Sequence, residues 1–506
     1  MNTLVGIDLG TTYSGISILN EMGKPEIIPN DEGERLTSSL VYFPENEPRK
    51  SFVGVHAQNA LAYNPERVIR EVKRKMGEPE IYEMDDQKYS PEEISAFILK
   101  KLIQSAALTK GDIKKAVITV PANFSESARK ATIEAGTIAG IEVSNIINEP
   151  TAAALFYATQ NPLSGRVVIY DLGGGTFDVT VAEIKDKDVE CLVSLGDKYL
   201  GGVDFDQKLL EVFNNRYIEE YGVKLFEGDY DSYKYLKIAD TMKKTLSARP
   251  KAQDVLNGPA GPLPVEISRE QFEELISIFV ARTELLIDAA LKEISIKPSD
   301  ISQVLLIGGS SRIPKVSDSL KKIFGREPLR AVNLDESVAL GAAVYAGLKV
   351  ERKELNAAQA KEISSIKLAD VCNHYFGTII ASYSPEFHKI EETNSIMLDK
   401  NTMLPCSKTE TFQTIYEGQT EIECVVTQSL SAETDPKFVT NIWEGSLDNL
   451  PPGRPADRPI EVTFTYDENQ MMHVSYKDVE TGKVIEKDLH PKLKEGSSDV
   501  GDFLVE

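Results

Sequence analysis

From residue 371 onward, apolar and polar residues alternate with a period of two. The alternation is clearest over residues 460–466 and 472–476, and a short apolar pair follows at residues 484–485, with polar turns between these segments. Successive side chains of a strand point to opposite faces, so this pattern is typical of strands with one buried face. Short alternating strands joined by polar turns predict an antiparallel β-sandwich over residues 371–490.

The first 350 residues have a different pattern, in which continuous apolar runs are separated by segments of helical spacing. Residues 116–120 form such a run and predict a buried strand that ends at Pro121. Residues 91–110 have the apolar spacing of a helix, with Ser90 as the predicted N-cap before Pro91. Two further segments are predicted to be helical, residues 65–76 and most of residues 205–300.

A triple-glycine turn is the most informative local feature. Residues 167–181 read VVIYDLGGGTFDVTV, which predicts a strand, a tight turn and a second strand. Consecutive glycines let neighbouring backbone N–H groups point the same way and form an anion-binding nest, for which phosphate is the natural ligand. Asp171, Thr176 and Asp178 flank the turn with hard oxygen groups, which suit Mg²⁺ carried in on a nucleotide, directly or through its waters.

The same arrangement occurs a second time at residues 5–18, which read VGIDLGTTYSGISI. The two copies are 163 residues apart, counted from Asp8 to Asp171, and this spacing indicates two related halves that face each other across a cleft. A third turn at residues 304–314 lies between a strand and a predicted helix start, where N–H groups and the helix dipole favour an anion. Any one turn alone is also compatible with an ordinary glycine-rich hairpin.

These turns and three further motifs resemble those of the DnaK-type heat-shock chaperone family. The further motifs are VPANF at residues 120–124, NEPT at residues 148–151 and LGGVDFD at residues 200–206, and all six occur in the family's order. The resemblance covers residues 1–350 strongly and residues 371–490 weakly. It implies an α/β actin-like ATPase domain, with two related lobes around a nucleotide cleft, a linker over residues 351–370, and an antiparallel β-sandwich that holds extended peptides.

The resemblance also implies roles for individual residues. Lys73 is at the position of a lysine that reaches the terminal phosphate, where a cation offsets charge on the transferred group. The implied catalytic residues are Lys73, Glu149, Asp171, Thr176 and Asp178, and Asp8 and Asp171 would hold Mg²⁺ largely through water. The implied residues for binding ATP or ADP are Gly10, Thr11, Thr12, Tyr13, Gly173, Gly174, Gly175, Gly201, Gly202, Asp240, Lys243, Lys244, Ser247, Gly308, Gly309, Ser310, Arg312 and Asp335.

The chain departs from the family pattern at three positions around the nucleotide. Lys244 is at the position that usually holds an arginine stacked on the base, and a lysine lacks the planar group that stacks. Asp240 is at the position of a glutamate, and Val203 replaces an acid within the LGGVDFD motif. We expect these changes to affect the affinity for nucleotide and not the capacity to bind it.

Communication with the sandwich is implied for Pro121, Arg129 and Asp370, although a strand-ending proline and a surface arginine are the plainer interpretations of the first two. The linker sequence at residues 366–370 contains Lys367 and Ala369, so less apolar surface would be buried if it docks. The predicted peptide groove comprises Phe376, Thr378, Ile380, Phe412, Ile415 and Ile422, and each of these is also compatible with a place in the sandwich core.

Composition restricts the classes of partner. The chain has 56 basic and 79 acidic residues and a net charge of −23, which argues against nucleic acid or an anionic membrane surface as the main partner. No apolar run reaches the length of a membrane span, no secretory signal is visible at the start, and the four cysteines are widely spaced. These features predict a cytoplasmic location.

The tail after Leu489 is only 17 residues long, and Pro491 and Gly496 interrupt it. We therefore expect residues 491–506 to form a short tail without the family's helical lid. Either the protein works without a lid, or the sequence is a shortened piece.

The function indicated by these features is that of an ATP-driven chaperone that couples slow ATP hydrolysis to the binding and release of unfolded segments. The resemblance implies a J-domain co-chaperone and a nucleotide exchange factor as further partners. A nucleotide-gated co-chaperone or scaffold without a peptide cycle is the alternative, favoured by the diluted linker and the missing lid. A small-molecule kinase with the same actin-like fold is a second alternative, but it leaves the C-terminal sandwich unexplained.

Overall fold

The computed structural model describes residues 3–45, 47, 49–160, 163–330, 333–384, 389–467, 470–489 and 499–506. Within these ranges the chain forms a two-lobed α/β domain followed by two packed antiparallel sheets, which is the predicted architecture.

The central sheets of the two lobes have the same topology. Each has parallel strands on one side and an antiparallel hairpin on the other. The first-lobe sheet contains, in spatial order, Glu142–Asn148, Ile113–Val120, Thr3–Asp8, Tyr13–Leu19 and Pro25–Ile27, with Thr37–Ser38 paired to Tyr13–Leu19. The second-lobe sheet contains Leu329–Arg330, Gln303–Ile307, Leu163–Leu172, Phe177–Asp186, Asp188–Asp197 and Leu368–Ala369. Both glycine hairpins are therefore at equivalent places in the two lobes.

Two helices of small residues hold the lobes together. Glu149–Gln160 packs on strands of the second lobe, and Ser337–Lys349 packs on strands of the first. The two helices also pack on each other so closely that a Cβ on Gly341 would lie 1.8 Å from the backbone oxygen of Ala152. The run of alanines after Glu149 allows this approach. Among the other helices that flank the central sheets are Pro91–Lys110, Glu126–Ile138, Ser277–Glu293 and Pro314–Phe324.

The predicted helix over residues 91–110 is confirmed as Pro91–Lys110, with a capping box between Ser90 and Glu93. The predicted helix over residues 65–76 is wrong. That segment consists of two 3₁₀ turns, Pro65–Arg67 and Val72–Lys75, separated by the Val68–Ile69 strand.

The first lobe carries an inserted small sheet and a hairpin. The sheet is made by Val41–Tyr42, Lys50–Val53, Val68–Ile69 and Leu504–Val505, next to the Val55–Ala60 helix, and the hairpin by Tyr82–Met84 and Gln87–Tyr89. Glu71, between the small sheet and Val72–Lys75, has a φ of 57°, which a helix does not permit.

The second lobe carries the larger insertion. Its helices are Gly202–Tyr221, Gly228–Tyr233, Leu236–Ala248, Arg269–Leu275 and Ser277–Glu293, in agreement with the mostly helical prediction. A hairpin of Lys251–Gly258 and Gly261–Ser268 interrupts them.

The segment predicted to be a linker is docked on the ATPase lobes. It contains a 3₁₀ turn at Arg352–Glu354, a helix at Ala357–Ile363 and the Leu368–Ala369 strand, which pairs in parallel with Asp188–Asp197. Ile366 is buried in the core that the two lobes share, and Leu368 packs against the same core.

The sandwich consists of two four-stranded antiparallel sheets. One contains Lys389–Leu398, Tyr375–Ser384, Ile422–Ser429 and Thr440–Leu447, and the other contains Cys406–Gln413, Pro459–Tyr466, Met472–Asp478 and Val484–Asp488. Their inner faces form one core, which includes Phe464 and Met472.

The predicted tail falls partly on residues 491–498, which lie outside the described residues. Residues 499–506 are described, and they do not lie on the sandwich. They form a 3₁₀ turn at Asp499–Asp502 and the Leu504–Val505 strand, which pairs in parallel with Lys50–Val53 of the first lobe.

Candidate functional site

A cleft of about 810 Å³ lies between the two lobes, and most of the predicted site residues line it. They come from all three glycine turns, from the Val72–Lys75 turn and from the Leu236–Ala248 helix. The predicted residues that line the cleft are Asp8, Gly10, Thr11, Thr12, Tyr13, Lys73, Glu149, Asp171, Gly173, Gly174, Thr176, Asp240, Lys243, Lys244, Ser247, Gly308, Gly309, Ser310, Arg312 and Asp335.

The two glycine hairpins face each other at close range across the floor of the cleft. A Cβ on Gly174 would lie 1.9 Å from the Thr12 hydroxyl, and a Cβ on Gly175 would lie 2.4 Å from the Thr11 methyl group. Only glycine therefore fits opposite these threonines. The Thr12 hydroxyl is buried and has no hydrogen-bond partner among the described residues, so it is available to a ligand in the cleft.

Four of the predicted residues do not line the cleft, and they lie directly behind it. Gly175 packs against Thr11, and Gly201 packs on the backbone of Gly174 and Gly175. Gly202 donates its N–H to the carbonyl of Gly173 at 3.1 Å. Asp178 is buried behind the second hairpin. The three glycines therefore support the phosphate-binding turn from behind.

Four carboxylates lie around one buried lysine at the base of the cleft: Glu149, Asp171 and Asp178 are buried, and Asp8 is half-buried. Lys73 forms an ion pair with Glu149 and lies within electrostatic range of Asp8 and Asp171. Burial works to lower the pKa of Lys73, but these carboxylates outweigh it and raise the pKa above its ordinary value. Lys73 is therefore charged at neutral pH.

The aspartates of this cluster have raised pKa values. Burial, reinforced by Glu149, raises the pKa of Asp8 to about 6, although Lys73 and a 2.8 Å hydrogen bond from Thr119 act in the opposite direction. Burial also raises the pKa of Asp171 and Asp178 well above the ordinary value, with Glu149 as the next cause in each case. The carboxyl groups thus outnumber the one lysine, and a cation bound beside them would favour their ionised forms.

This donor set fits Mg²⁺ that retains its water ligands. Within the described ranges, no three His, Cys, Asp or Glu side chains are close enough together to hold a metal ion directly. Oxygen donors that outnumber the neighbouring cations suit a hydrated hard cation. The Oδ1 atom of Asp178 is one such donor, because it is buried and lacks a hydrogen-bond partner in the described part of the chain.

Polar contacts between side chains organise the outer part of the cleft. Lys243 pairs with Asp206 at 2.6 Å, and Ser310 donates to the carbonyl of Gly173 at 2.9 Å. At the mouth, Lys244 pairs with Asp240 at 2.7 Å, and its Nζ lies 5.4 Å from the centre of the Tyr13 ring. Arg312 pairs with Asp335 at 2.6 Å.

Three arginine contacts that join the lobes were missed from the sequence. Arg35 forms a bidentate pair with Glu336, at 2.6 and 2.8 Å, across the mouth of the cleft. Arg74 donates to the Gly175 carbonyl and pairs with Asp204 at 2.6 Å. The guanidinium of Arg70 lies 4.5 Å from the centre of the Tyr233 ring. No local pattern marks these residues, because their partners are more than 100 positions away in the sequence.

Other missed residues complete the lining of the cleft. Asp206 belongs to the LGGVDFD motif and could have been recognised from it. The remaining lining residues that the sequence did not indicate as binding residues are Gly33, Glu34, Leu36, Val203, Ile307, Ile313, Asn333, Leu334 and Val338.

The residues predicted to communicate with the sandwich lie near one hydrogen-bond network. Arg129 donates to Asn148 at 2.8 Å and to the carbonyls of Ala122 and Phe124, just after Pro121. Asn148 in turn donates to Asp370 at 3.0 Å. Three further groups donate to Asp370: the Thr151 hydroxyl of the ATPase lobes at 3.1 Å, the Gln470 amide of the sandwich at 3.0 Å and the backbone N–H of Val371 at 2.8 Å.

The predicted groove residues do not share one environment. Phe376 and Thr378 lie inside the sandwich, where Phe376 packs on Tyr466 and the Thr378 hydroxyl is 2.9 Å from the Tyr476 hydroxyl. For these two the structure favours the core interpretation. The other four residues are half-buried: Ile380, Phe412, Ile415 and Ile422. Their assignment to a groove stays a prediction.

Comparisons with known proteins cover nearly the whole chain. The profile of the family described as Hsp70 protein matches residues 4–83 and 80–502. The chain is 40% identical over 493 residues to the chaperone protein DnaK of Thermotoga neapolitana and to that of Thermotoga petrophila. It is 39% identical over 495 residues to the chaperone protein DnaK of Thermosipho melanesiensis. Each alignment covers 95% of this chain and 79% of the relative.

Proposed function

Because this chain belongs to the Hsp70 family of ATP-dependent chaperones, we propose that the cleft between its lobes holds Mg-ATP and hydrolyses it with the residues described above. The chain is accordingly a chaperone ATPase with an actin-like ATPase domain. The family binds ATP and ADP. The observation that supports this use of the cleft is the pair of facing glycine hairpins with Lys73 at their base.

Each group in the cleft has a distinct role in this proposal. The backbone N–H groups of both hairpins and the Thr11 and Thr12 hydroxyls bind phosphate oxygens. Lys73 offsets the charge that develops on the transferred phosphoryl group, and Glu149 holds Lys73 in place. Thr176, which lines the cleft, would orient the attacking water, and Asp178 would act from directly behind it, next to Glu149 and Asp171.

Asp8 and Asp171 would hold a magnesium ion largely through its water ligands, and the ion would supply charge stabilisation when bound. Burial raises the pKa values of both acids, and a cation beside them would lower these values again. Lys243, Lys244, Asp240 and Ser247 would hold the nucleoside end, on the helix at the mouth of the cleft.

Lys73→Ala tests the proposed reaction centre. We expect turnover to fall by about 10²- to 10³-fold, the usual loss when one preorganised charge is removed from the transition state. ATP affinity, measured by isothermal titration calorimetry, should fall much less. Thr176→Ala should have the same pattern.

Lys75→Ala is the matched control, because Lys75 lies on the same 3₁₀ turn and its side chain is 38% exposed. Its turnover should equal that of the unmodified protein. Thermal unfolding of each variant without nucleotide establishes that it is folded. Absence of ATP binding in the unmodified protein, or full turnover in Lys73→Ala, would contradict the assignment.

The sandwich is the part of the chain that would hold unfolded or extended peptide segments, with half-buried residues such as Ile380 and Ile422 at the groove. A J-domain co-chaperone and a nucleotide exchange factor complete the proposed cycle, which would run in the cytoplasm. No helix among the described residues could cross a membrane. An unfolded peptide should change the ATPase rate, and an unchanged rate would contradict a peptide cycle.

A further inference from the structure

Residues 499–506, called the strap below, add a strand to the inserted sheet of the first lobe. Leu504 donates its N–H to the Arg49 carbonyl at 2.9 Å, and Glu506 donates to the Ser51 carbonyl at 3.0 Å. In the other direction, the Val53 N–H of the lobe donates to the Glu506 carbonyl at 2.8 Å. These bonds satisfy an edge that would otherwise present unpaired backbone groups.

From Phe503 to Glu506, the side chains of the strap alternate between the lobe and solvent, as strand geometry requires. Phe503 enters an aromatic pocket, with its ring centre 5.1 Å from that of Phe97, 6.2 Å from Tyr89 and 6.4 Å from Phe43. Val505 is also buried, whereas Leu504 between them is 56% exposed. A large aromatic anchor in a closed pocket is the feature that carries most of the energy in a peptide interface.

A lysine of the lobe holds the turn that precedes the strand. Lys100, on the Pro91–Lys110 helix, donates to the carbonyls of Val500, Gly501 and Phe503 at 3.0, 2.9 and 2.9 Å. An ammonium group has three donors, so this turn offers one acceptor for each. Val500 is buried in the same core as Phe503. Backbone pairing, an aromatic anchor and a cation therefore recognise one segment at three separate points.

We propose that this surface of the first lobe is a strand-addition site for an extended segment with a Val-x-x-Phe-x-Val pattern, and that the chain's own residues 499–506 occupy it. The strap thereby ties the last strand of the sandwich to the inserted sheet of the first lobe. Leu489 is buried in the sandwich core and is ten residues before Asp499. At 3.3–3.6 Å per residue, the two can separate by at most ~36 Å while the strap is bound.

The site is also connected to the reaction centre. The Val41–Tyr42 strand lies between Lys50–Val53, which binds the strap, and Val68–Ile69. The Val72–Lys75 turn, which positions Lys73, follows Val68–Ile69 after only two residues. The strap and the turn that carries Lys73 are therefore attached to opposite sides of one small sheet.

Hydrogen exchange of the full chain tests the site from the lobe side. The amide of Val53 is the informative probe, because it belongs to the lobe and donates to the strap. Phe503→Ala should speed its exchange by at least about tenfold, since opening of the strap becomes frequent. Leu504→Ala is the matched control, because that side chain faces solvent, and it should change the rate by less than about twofold. Equal Val53 exchange in Phe503→Ala and the unmodified protein would overturn the proposal.

A labelled peptide with the sequence of residues 499–506, DVGDFLVE, tests the same site in trans. Phe503→Asp should release the strap and leave the site open, so the full-length variant should bind the peptide saturably, whereas the unmodified protein should not. Adding Lys100→Met to Phe503→Asp should abolish this binding. Binding that is equal in all three proteins would place the peptide elsewhere, for example on the sandwich, and would overturn the proposal. So would a lack of binding to Phe503→Asp.

Discussion

At the scale of single residues, the informative groups are charged side chains that the fold buries. Lys73 is 4% exposed and Asp178 is 1% exposed, and burial of an ionisable side chain does not by itself stabilise the folded protein. Such groups persist where a ligand uses them, which is the reason to regard the base of the cleft as the reaction centre. Asp178 was predictable from the glycine turn beside it, and Lys73 from the resemblance to the family. Arg35 and Arg74 were not predictable, because each contacts the opposite lobe and has no motif around it.

Lys244→Arg tests the departure from the family pattern at the mouth of the cleft. The Lys244 ammonium is half exposed and lies near the Tyr13 ring and Asp240. A guanidinium at this position could keep the ion pair and also stack on a base. We expect ADP to bind more tightly by ~0.5–1 kcal/mol, as for a partly wet cation–π contact.

The measurement is titration calorimetry with ADP. Lys237→Arg provides the control, because Lys237 is exposed on the same helix and does not line the cleft. It should leave the affinity unchanged. An equal or weaker affinity in Lys244→Arg would show that this position does not lie over the base.

At the scale of elements, local signals were sufficient where the sequence and the tertiary environment agree. The Pro91–Lys110 helix has both a capping box and a continuous apolar face, and the sandwich strands have their alternation. Residues 65–76 failed because their charged, helix-prone sequence is overruled by pairing of Val68–Ile69 with Val41–Tyr42. The Leu504–Val505 strand carried no signal, since its partner strand begins more than 450 residues earlier.

The Glu126–Ile138 helix brings a buried acid to the interface with the sandwich. The backbone N–H of Glu126 donates to Gln428 of the sandwich at 3.1 Å, while its side-chain Oε2 is buried without a hydrogen-bond partner in the described ranges. Burial raises the pKa of Glu126 to about 7, although Lys130 and Arg129 oppose the rise, and Asp467 adds to it. The protonated form is therefore favoured in the docked arrangement.

Docking of the sandwich should consequently depend on pH. When the sandwich is docked, the pKa of Glu126 lies above its ordinary value of 4.5. The protonated Glu126 side chain therefore favours docking fully below pH 4.5, and this stabilisation is lost as the pH rises through about 7. We expect the radius of gyration from small-angle scattering to increase between pH 6 and pH 8. Glu126→Gln should make this increase in radius smaller. Glu142→Gln is the control, because Glu142 forms an exposed ion pair, and it should leave the increase unchanged. A profile that Glu126→Gln leaves unaltered would contradict the role of this acid.

At the scale of the whole molecule, the sandwich is docked through contacts with both lobes. Lys400 and Asn401 bind Glu293 of the second lobe at 3.3 and 2.8 Å, and Gln470 reaches Asp370 next to the docked linker strand. The strap adds a separate attachment to the first lobe. The motifs indicated which domains are present, but they contained no information about this arrangement, which arises from pairings between distant segments.

The strap should reduce the effect of nucleotide on peptide binding. Nucleotide can shift the position of the sandwich only by its differential affinity for the docked and undocked arrangements. The strap adds a constant preference for proximity, because it binds the first lobe away from the cleft. An equilibrium that already lies far to one side responds little to a given ligand. We therefore expect ATP and ADP to change peptide dissociation by a factor near the low end of the usual ~5- to 150-fold range.

Release of a labelled unfolded peptide, measured in ADP and then in ATP, gives this factor directly. Phe503→Asp should move it toward the upper end of the range, because the docked and undocked arrangements become closer in free energy once the strap is free. Leu504→Ala should leave it unchanged. Coupling is reciprocal, so the same variant should also increase the effect of peptide on ATP affinity by an equal factor. The prediction is contradicted if the ratio of the dissociation rates in ATP and ADP exceeds about a hundred in the unmodified protein and Phe503→Asp does not change it. The strap would then have no effect on the coupling between nucleotide and peptide.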